Sequence, residues 1–99
     1  MTALKPNEHS LTTTGTGELK VSPQYTHNVI TVVGLAVGTF TVRAKEQSNT
    51  VFESVQNGTI DLSTCRTIII RNVQLKELEF TPSPTAAYTV YVKQYDSQA

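Results

Sequence analysis

The chain has 99 residues, with eight Lys plus Arg against eight Asp plus Glu, so its formal net charge is zero. That length holds one domain with one modest core, and the balance leaves no basic stripe to neutralise the phosphates of DNA, RNA or an anionic membrane. Its single cysteine, Cys65, cannot form an internal disulfide, whereas small secreted domains usually carry an even set, so the chain reads as made in a reducing cytosol.

Residues 1–17, MTALKPNEHSLTTTGTG, are rich in Thr and broken by Pro6 and two glycines. They show no sustained periodicity and read as an extended arm rather than a packed element. They also lack an apolar run of signal-peptide length, and no stretch of the chain approaches the 18 or more apolar residues of a membrane span. From Glu18 the period becomes two. Leu19 and Val21 alternate with Glu18, Lys20 and Ser22; Phe40, Val42 and Ala44 with Thr39, Thr41, Arg43 and Lys45. Half-buried strands alternate in this way.

HNVITVVGL (27–35) and RTIIIRNV (66–73) break the alternation with consecutive β-branched residues, as expected of strands covered on both sides or near a sheet centre. Between them lies VQNGTIDL (55–62), whose Asn57-Gly58-Thr59 fits both a glycosylation acceptor and a tight turn. Without a secretory route the turn reading stands: a type I′ hairpin, with 50–56 entering and 59–63 leaving. LKELEF (75–80) has helix-forming residues, but Leu78 and Phe80 alternate with Glu77 and Glu79, which makes it a strand. In YTVYVKQY (88–95), Tyr88, Val90 and Val92 share one face.

About eight short strands result, at spacings near ten residues, and no segment carries a 3.6-residue stripe. The fold class is all-β: an antiparallel sandwich, immunoglobulin-like or jelly-roll, over 18–95, with the arm before it and a short tail, 96–99, after it.

The residues offer little chemistry. Cys65 is the one thiol, and the histidines are His9 in the arm and His27 at a strand start. Placed between a turn and a buried strand, Cys65 reads as a small apolar residue rather than a nucleophile. Glu77 and Glu79 share a strand face, with Lys76, Lys93 and Arg71 available to neutralise them, and read as a solvated face. Asp61 and Asp96 lie far apart, without metal-ligand spacing. Gly34 and Gly38 bracket a hairpin connection with no following helix to hold a phosphate. The expectation is a protein without catalytic residues, metal or cofactor. Tyr91, Lys93 and Tyr95 fall opposite Tyr88, Val90 and Val92; they face outward to bind a sugar or protein, or they lie under a second sheet or the arm.

The phrases GTFTVRAKEQ, VFESVQNGTIDLSTCRTIII and LKELEFTPSPTAAYTVYVKQ resemble small β-sandwich virion proteins of tailed bacteriophages, over roughly residues 28–94. GLAVGTFTV also looks like a phrase of fibronectin type III domains, but Val37 stands in place of its Pro, Phe40 in place of its Tyr, and the phrase comes too early in the chain. The virion resemblance implies a non-enzymatic capsid decoration protein, made in the bacterial cytoplasm and carried on the virion. Its partners would be the major capsid protein or other virion proteins, and copies of itself, with a trimer favoured. Contact would run through Leu4 and Leu11 of the arm and through Tyr91, Lys93 and Tyr95. The alternative is a monomeric module that binds carbohydrate or a receptor through Tyr91 and Tyr95.

Overall fold

The computed structural model describes residues 7–96, which form eight strands and no helix. In chain order they are β1 (Glu8–Thr13), β2 (Gly17–Lys20), β3 (His27–Val33), β4 (Thr39–Glu46), β5 (Glu53–Asp61), β6 (Thr67–Ile70), β7 (Leu75–Pro82) and β8 (Tyr88–Tyr95). They lie in two antiparallel sheets, ordered β1-β8-β3-β6 and β2-β7-β4-β5. The first strand pairs with the last, the second with the seventh, the third with the sixth and the fourth with the fifth. That is one long hairpin, nested four deep and rolled so that β3 meets β8 and β4 meets β7. This is a jelly roll, and the strand order decides between the two sandwich topologies.

Period-two sequence builds the core between the sheets. Ile30, Val32, Ile68, Ile70, Tyr88, Val90 and Val92 enter from one sheet and Phe40, Val42, Ala44, Leu78 and Phe80 from the other. Phe40 stacks on Phe80 at 5.8 Å between ring centres and meets Tyr88 edge-on at 5.5 Å. Burying each such side chain is worth roughly 2 kcal/mol.

One inward position of β8 is polar. Gln94 is fully buried, and its amide donates to the Ser22 carbonyl at 3.0 Å and to Asn28 Oδ1 at 2.8 Å. Its Oε1 accepts from the Ser22 backbone amide at 3.0 Å and meets His9 Nε2 at 2.8 Å. Asn28, also fully buried, donates to the Ile70 carbonyl. Because Gln94 Oε1 can only accept, His9 carries a proton on Nε2. Four strands are thereby tied at one end of the sandwich, with every polar atom of Gln94 satisfied.

Four expectations are corrected. Residues 8–13 are not an unpacked arm: they form β1, paired along its whole length with β8, and Leu11 packs against the core. Polar Thr and Ser make a stable strand there because β8 supplies the ladder. Asn57-Gly58 is not a hairpin turn. Thr41 stands opposite Thr59 and Arg43 opposite Ser54, so Val55, Gln56, Asn57 and Gly58 all face Val42. Asn57 does adopt positive φ, 58°, but both flanking runs pair with β4, and the turn signal makes a wide bulge inside one strand. RTIIIRNV contains an edge strand, β6, rather than a central one, and Ile69 faces outward. The 34–38 connection, with positive φ at Gly34 and Gly38, crosses between sheets and is no hairpin.

Candidate functional site

The alternation of β8 that buries Tyr88, Val90, Val92 and Gln94 turns Tyr91, Lys93 and Tyr95 outward. Among the described residues no second layer covers them: Tyr91 is 53% exposed and Tyr95 38%. Pairing sets their neighbours. Tyr91 lies between Ser10 of β1 and Thr31 of β3, and Lys93 between Glu8 and Val29. The Lys93 ammonium sits 3.8 Å from the Glu8 carboxylate and 5.9 Å from the centre of the Tyr95 ring. Val33 of β3 and Ile69 of β6, 48% and 45% exposed, project from the same face. The sequence hides both, because they sit inside β-branched runs of the kind expected in strands covered on both sides or near a sheet centre; the odd-numbered phase they share with Val29 and Thr31 is the available signal.

The opposite face of the sandwich has different chemistry. There Arg43 of β4 contacts Glu79 of β7 at 3.3 Å and Lys45 contacts Glu77 at 3.1 Å. These cross-strand partners, set by the β4–β7 register, neutralise the two glutamates in place of Lys76, Lys93 and Arg71. Arg43 also donates to the Phe52 carbonyl at 2.8 Å, while Lys45 lies 4.5 Å from the centre of the Phe52 ring. Charges matched within one sheet leave a face suited to water. Among the described residues, four of the six large exposed apolar side chains belong to the β1-β8-β3-β6 face, and the other two, Val37 and Val51, lie in loops. The apolar surface is therefore concentrated on one side.

The remaining candidates are dispersed. Cys65 is exposed rather than a small core residue, and its thiol donates to the Thr67 carbonyl at 3.2 Å. His27 pairs with Tyr95 at one end of β3, whereas Thr67 pairs with Thr31 beyond the middle of the strand. At 3.3 Å per residue, Cys65 and His27 stand about 20 Å apart along the sheet. Asp61 closes β5 by accepting from the Ser63 hydroxyl at 2.7 Å and the Ser63 amide at 3.0 Å. Those two bonds hold its carboxyl below the ordinary carboxylate range. Among the described residues no three His, Cys, Asp or Glu side chains gather as a metal site would require. Leu4 lies outside the described residues, and Leu11 is half-buried against the core. Beside β6, an open groove of about 740 Å³ runs between the two sheets, lined by Val55, Ile60, Ile68, Ile70 and Val73.

No protein family and no curated protein matches this sequence. Solved structures do match its fold. The SPBc2 prophage-derived protein YomS aligns with a TM-score of 0.56 at 10% identity, over 96% of this chain and 99% of its own. AlgX of Pseudomonas aeruginosa aligns with a TM-score of 0.59 at 11% identity, over 91% of this chain. Thiamin pyrophosphokinase of Geobacillus thermodenitrificans reaches 0.50 at 13% identity, also over 91%. The chain spans 26% of AlgX and 38% of the pyrophosphokinase. At such identities the likeness is one of fold, shared with a prophage-derived protein and with parts of two larger proteins.

Proposed function

We propose that this chain is a non-enzymatic structural protein of a bacteriophage virion. In this reading it is made in the host cytoplasm and decorates the capsid as a homo-oligomer, a trimer being favoured. It docks on the major capsid protein or another virion protein through the outer face of the β1-β8-β3-β6 sheet. The observation that carries the reading is the contrast between the two faces of the sandwich. One neutralises its charges internally; the other leaves Tyr91, Tyr95, Val33 and Ile69 in water. Concentrated apolar surface on a small soluble domain marks a contact site, and tyrosines supply contact area at small entropic cost. The end-to-end match with a prophage-derived protein supports the setting.

Co-sedimentation with capsids that lack the protein tests this. Wild-type chain should pellet with the particles, and Tyr91→Ala with Tyr95→Ala should weaken retention about tenfold or more. The same pair should leave stability within about 0.5 kcal/mol, because both rings project from the surface. Retention unchanged by the two substitutions, or absent in the wild type, removes the reading.

A second reading makes the same face a carbohydrate platform. It is favoured by the placing of the Tyr91 ring between the hydroxyl-bearing Ser10 and Thr31. Glycan-array binding that disappears in Tyr91→Ala would support it, and a silent array would end it.

A further inference from the structure

Among the described residues β1 and β6 close the two ends of the same sheet, each with a strand on one side only. A strand in that position presents a row of backbone donors and acceptors that another chain can use. The hydrogen-bond phase says which residues carry them. The Gln94 amide donates to the Asn7 carbonyl at 2.8 Å, so Asn7, His9 and Leu11 direct their backbone groups at β8, while Glu8, Ser10 and Thr12 turn theirs away. On the other side the Val32 amide donates to the Arg66 carbonyl at 2.9 Å. Residues 66, 68 and 70 therefore face β3, and Thr67, Ile69 and Arg71 face outward from the edge.

Both edge-facing rows belong to residues whose side chains lie on the outer face, and the strands run in opposite directions, because every neighbouring pair from β1 to β6 is antiparallel. Two copies in the same orientation thus bring β6 of one beside β1 of the next as an antiparallel pair, with inward and outward sides in phase. We propose that the chain assembles head to tail in this way, with Glu8 of one copy opposite Arg71 of the next, Ser10 opposite Ile69, Thr12 opposite Thr67, and Leu11 on the inner side opposite Ile68. This deepens the preceding reading by giving its homo-oligomer a contact.

Charge selects this pairing. Arg71 is exposed and has no hydrogen bond or ion pair with the described residues, and beside Glu8, which leans on Lys93 at 3.8 Å, it meets a carboxylate. Pairing β6 with another β6 instead would give Arg71 no acidic partner, because the edge-facing row of Thr67, Ile69 and Arg71 carries no carboxylate. The second sheet cannot continue alongside, because its edge strand β5 carries the four-residue bulge at 55–58. Joining along one sheet alone makes the contact a wedge, and a head-to-tail contact that turns at each step closes a ring where the turns sum to a full rotation and otherwise runs on as a helical filament.

Sedimentation velocity of the full chain at rising concentration tests the proposal. Wild-type protein should reach a mass that is a multiple of one chain. Arg71→Glu should weaken association about tenfold, as reversal of an exposed ion pair does, and adding Glu8→Arg should restore it. Ser10→Pro removes a backbone donor that points away from β8 and should also abolish the assembled species. Thermal midpoints of the variants establish that each is folded. A wild type that stays a single chain throughout, or an oligomer indifferent to Arg71→Glu and Ser10→Pro, overturns the proposal. An oligomer that responds as expected but ignores capsids leaves this contact standing and removes the decoration reading.

Discussion

Tyr88 joins three parts of the structure at one side chain. Its ring lies in the core edge-on to Phe40, and its hydroxyl donates to the Gly15 carbonyl at 2.6 Å, tying the β1–β2 connection to β8. Burial pushes its phenol above the usual value of 10.0. The folded chain therefore holds this proton more tightly than the unfolded chain. Its contribution to stability is complete below about pH 10 and falls away as pH rises through the raised folded value. Tyr88→Phe keeps the ring and loses the hydrogen bond, which should cost about 1 kcal/mol near neutrality. In urea unfolding the difference between variant and wild type should shrink above about pH 10, where only the wild type has this phenol to ionise; a difference constant up to pH 11 would contradict the assignment. The inward position of Tyr88 was legible in YTVYVKQY. So, in hindsight, was the buried Gln94, which keeps the same phase as Tyr88, Val90 and Val92. Its partners Asn28, Ser22 and His9 were not, since they come from 66 to 85 residues away in the chain.

At the scale of elements, eight strands were expected and eight are present, but not the same eight. Composition makes β1 part of an arm, and the Asn57-Gly58 signal divides into two strands what the fold keeps as one. A dipeptide can specify local φ; it cannot specify whether its flanks pair with each other or with a third strand. Likewise three consecutive isoleucines declare β structure without saying which edge or centre the strand occupies, and a Thr-rich stretch becomes a strand only when a distant one supplies its hydrogen bonds. Inside the β5 bulge, Gly58 is buried, and a Cβ there would lie 2.7 Å from the Val42 carbonyl oxygen and 2.6 Å from Val55 Cγ2. The first neighbour is backbone and cannot step aside. Gly58→Ala should destabilise the domain by about 1–3 kcal/mol, a fall in Tm of roughly 5–20 °C for a domain of this size. A midpoint that does not move would mean that β4 and β5 stand further apart at the bulge than described.

For the molecule as a whole, the outermost layer of the nested hairpin is the pair of strands nearest the two ends of the chain. β8 lies between β1 and β3, so β1 covers one flank of the strand that carries Tyr88, Val90 and Val92. β1 also brings Leu11 to the core, His9 to Gln94 and, through the following turn, Gly15 to Tyr88. Deleting residues 1–15 is therefore no trimming of an arm. It strips a six-residue ladder, leaves the buried Gln94 without its histidine, and converts the central strand β8 into an exposed, apolar edge. A buried polar group left without one partner costs about 1–3 kcal/mol, and the lost apolar contacts add to it. Domains of this kind have only about 5–15 kcal/mol in total. The truncated chain should accordingly lose at least about 10 °C in Tm or fail to unfold cooperatively, and it should aggregate through β8. Calorimetry of the truncated and full chains decides. Equal midpoints would mean that the β1–β8 pairing carries no stability and that the two end strands are not the clasp of this fold.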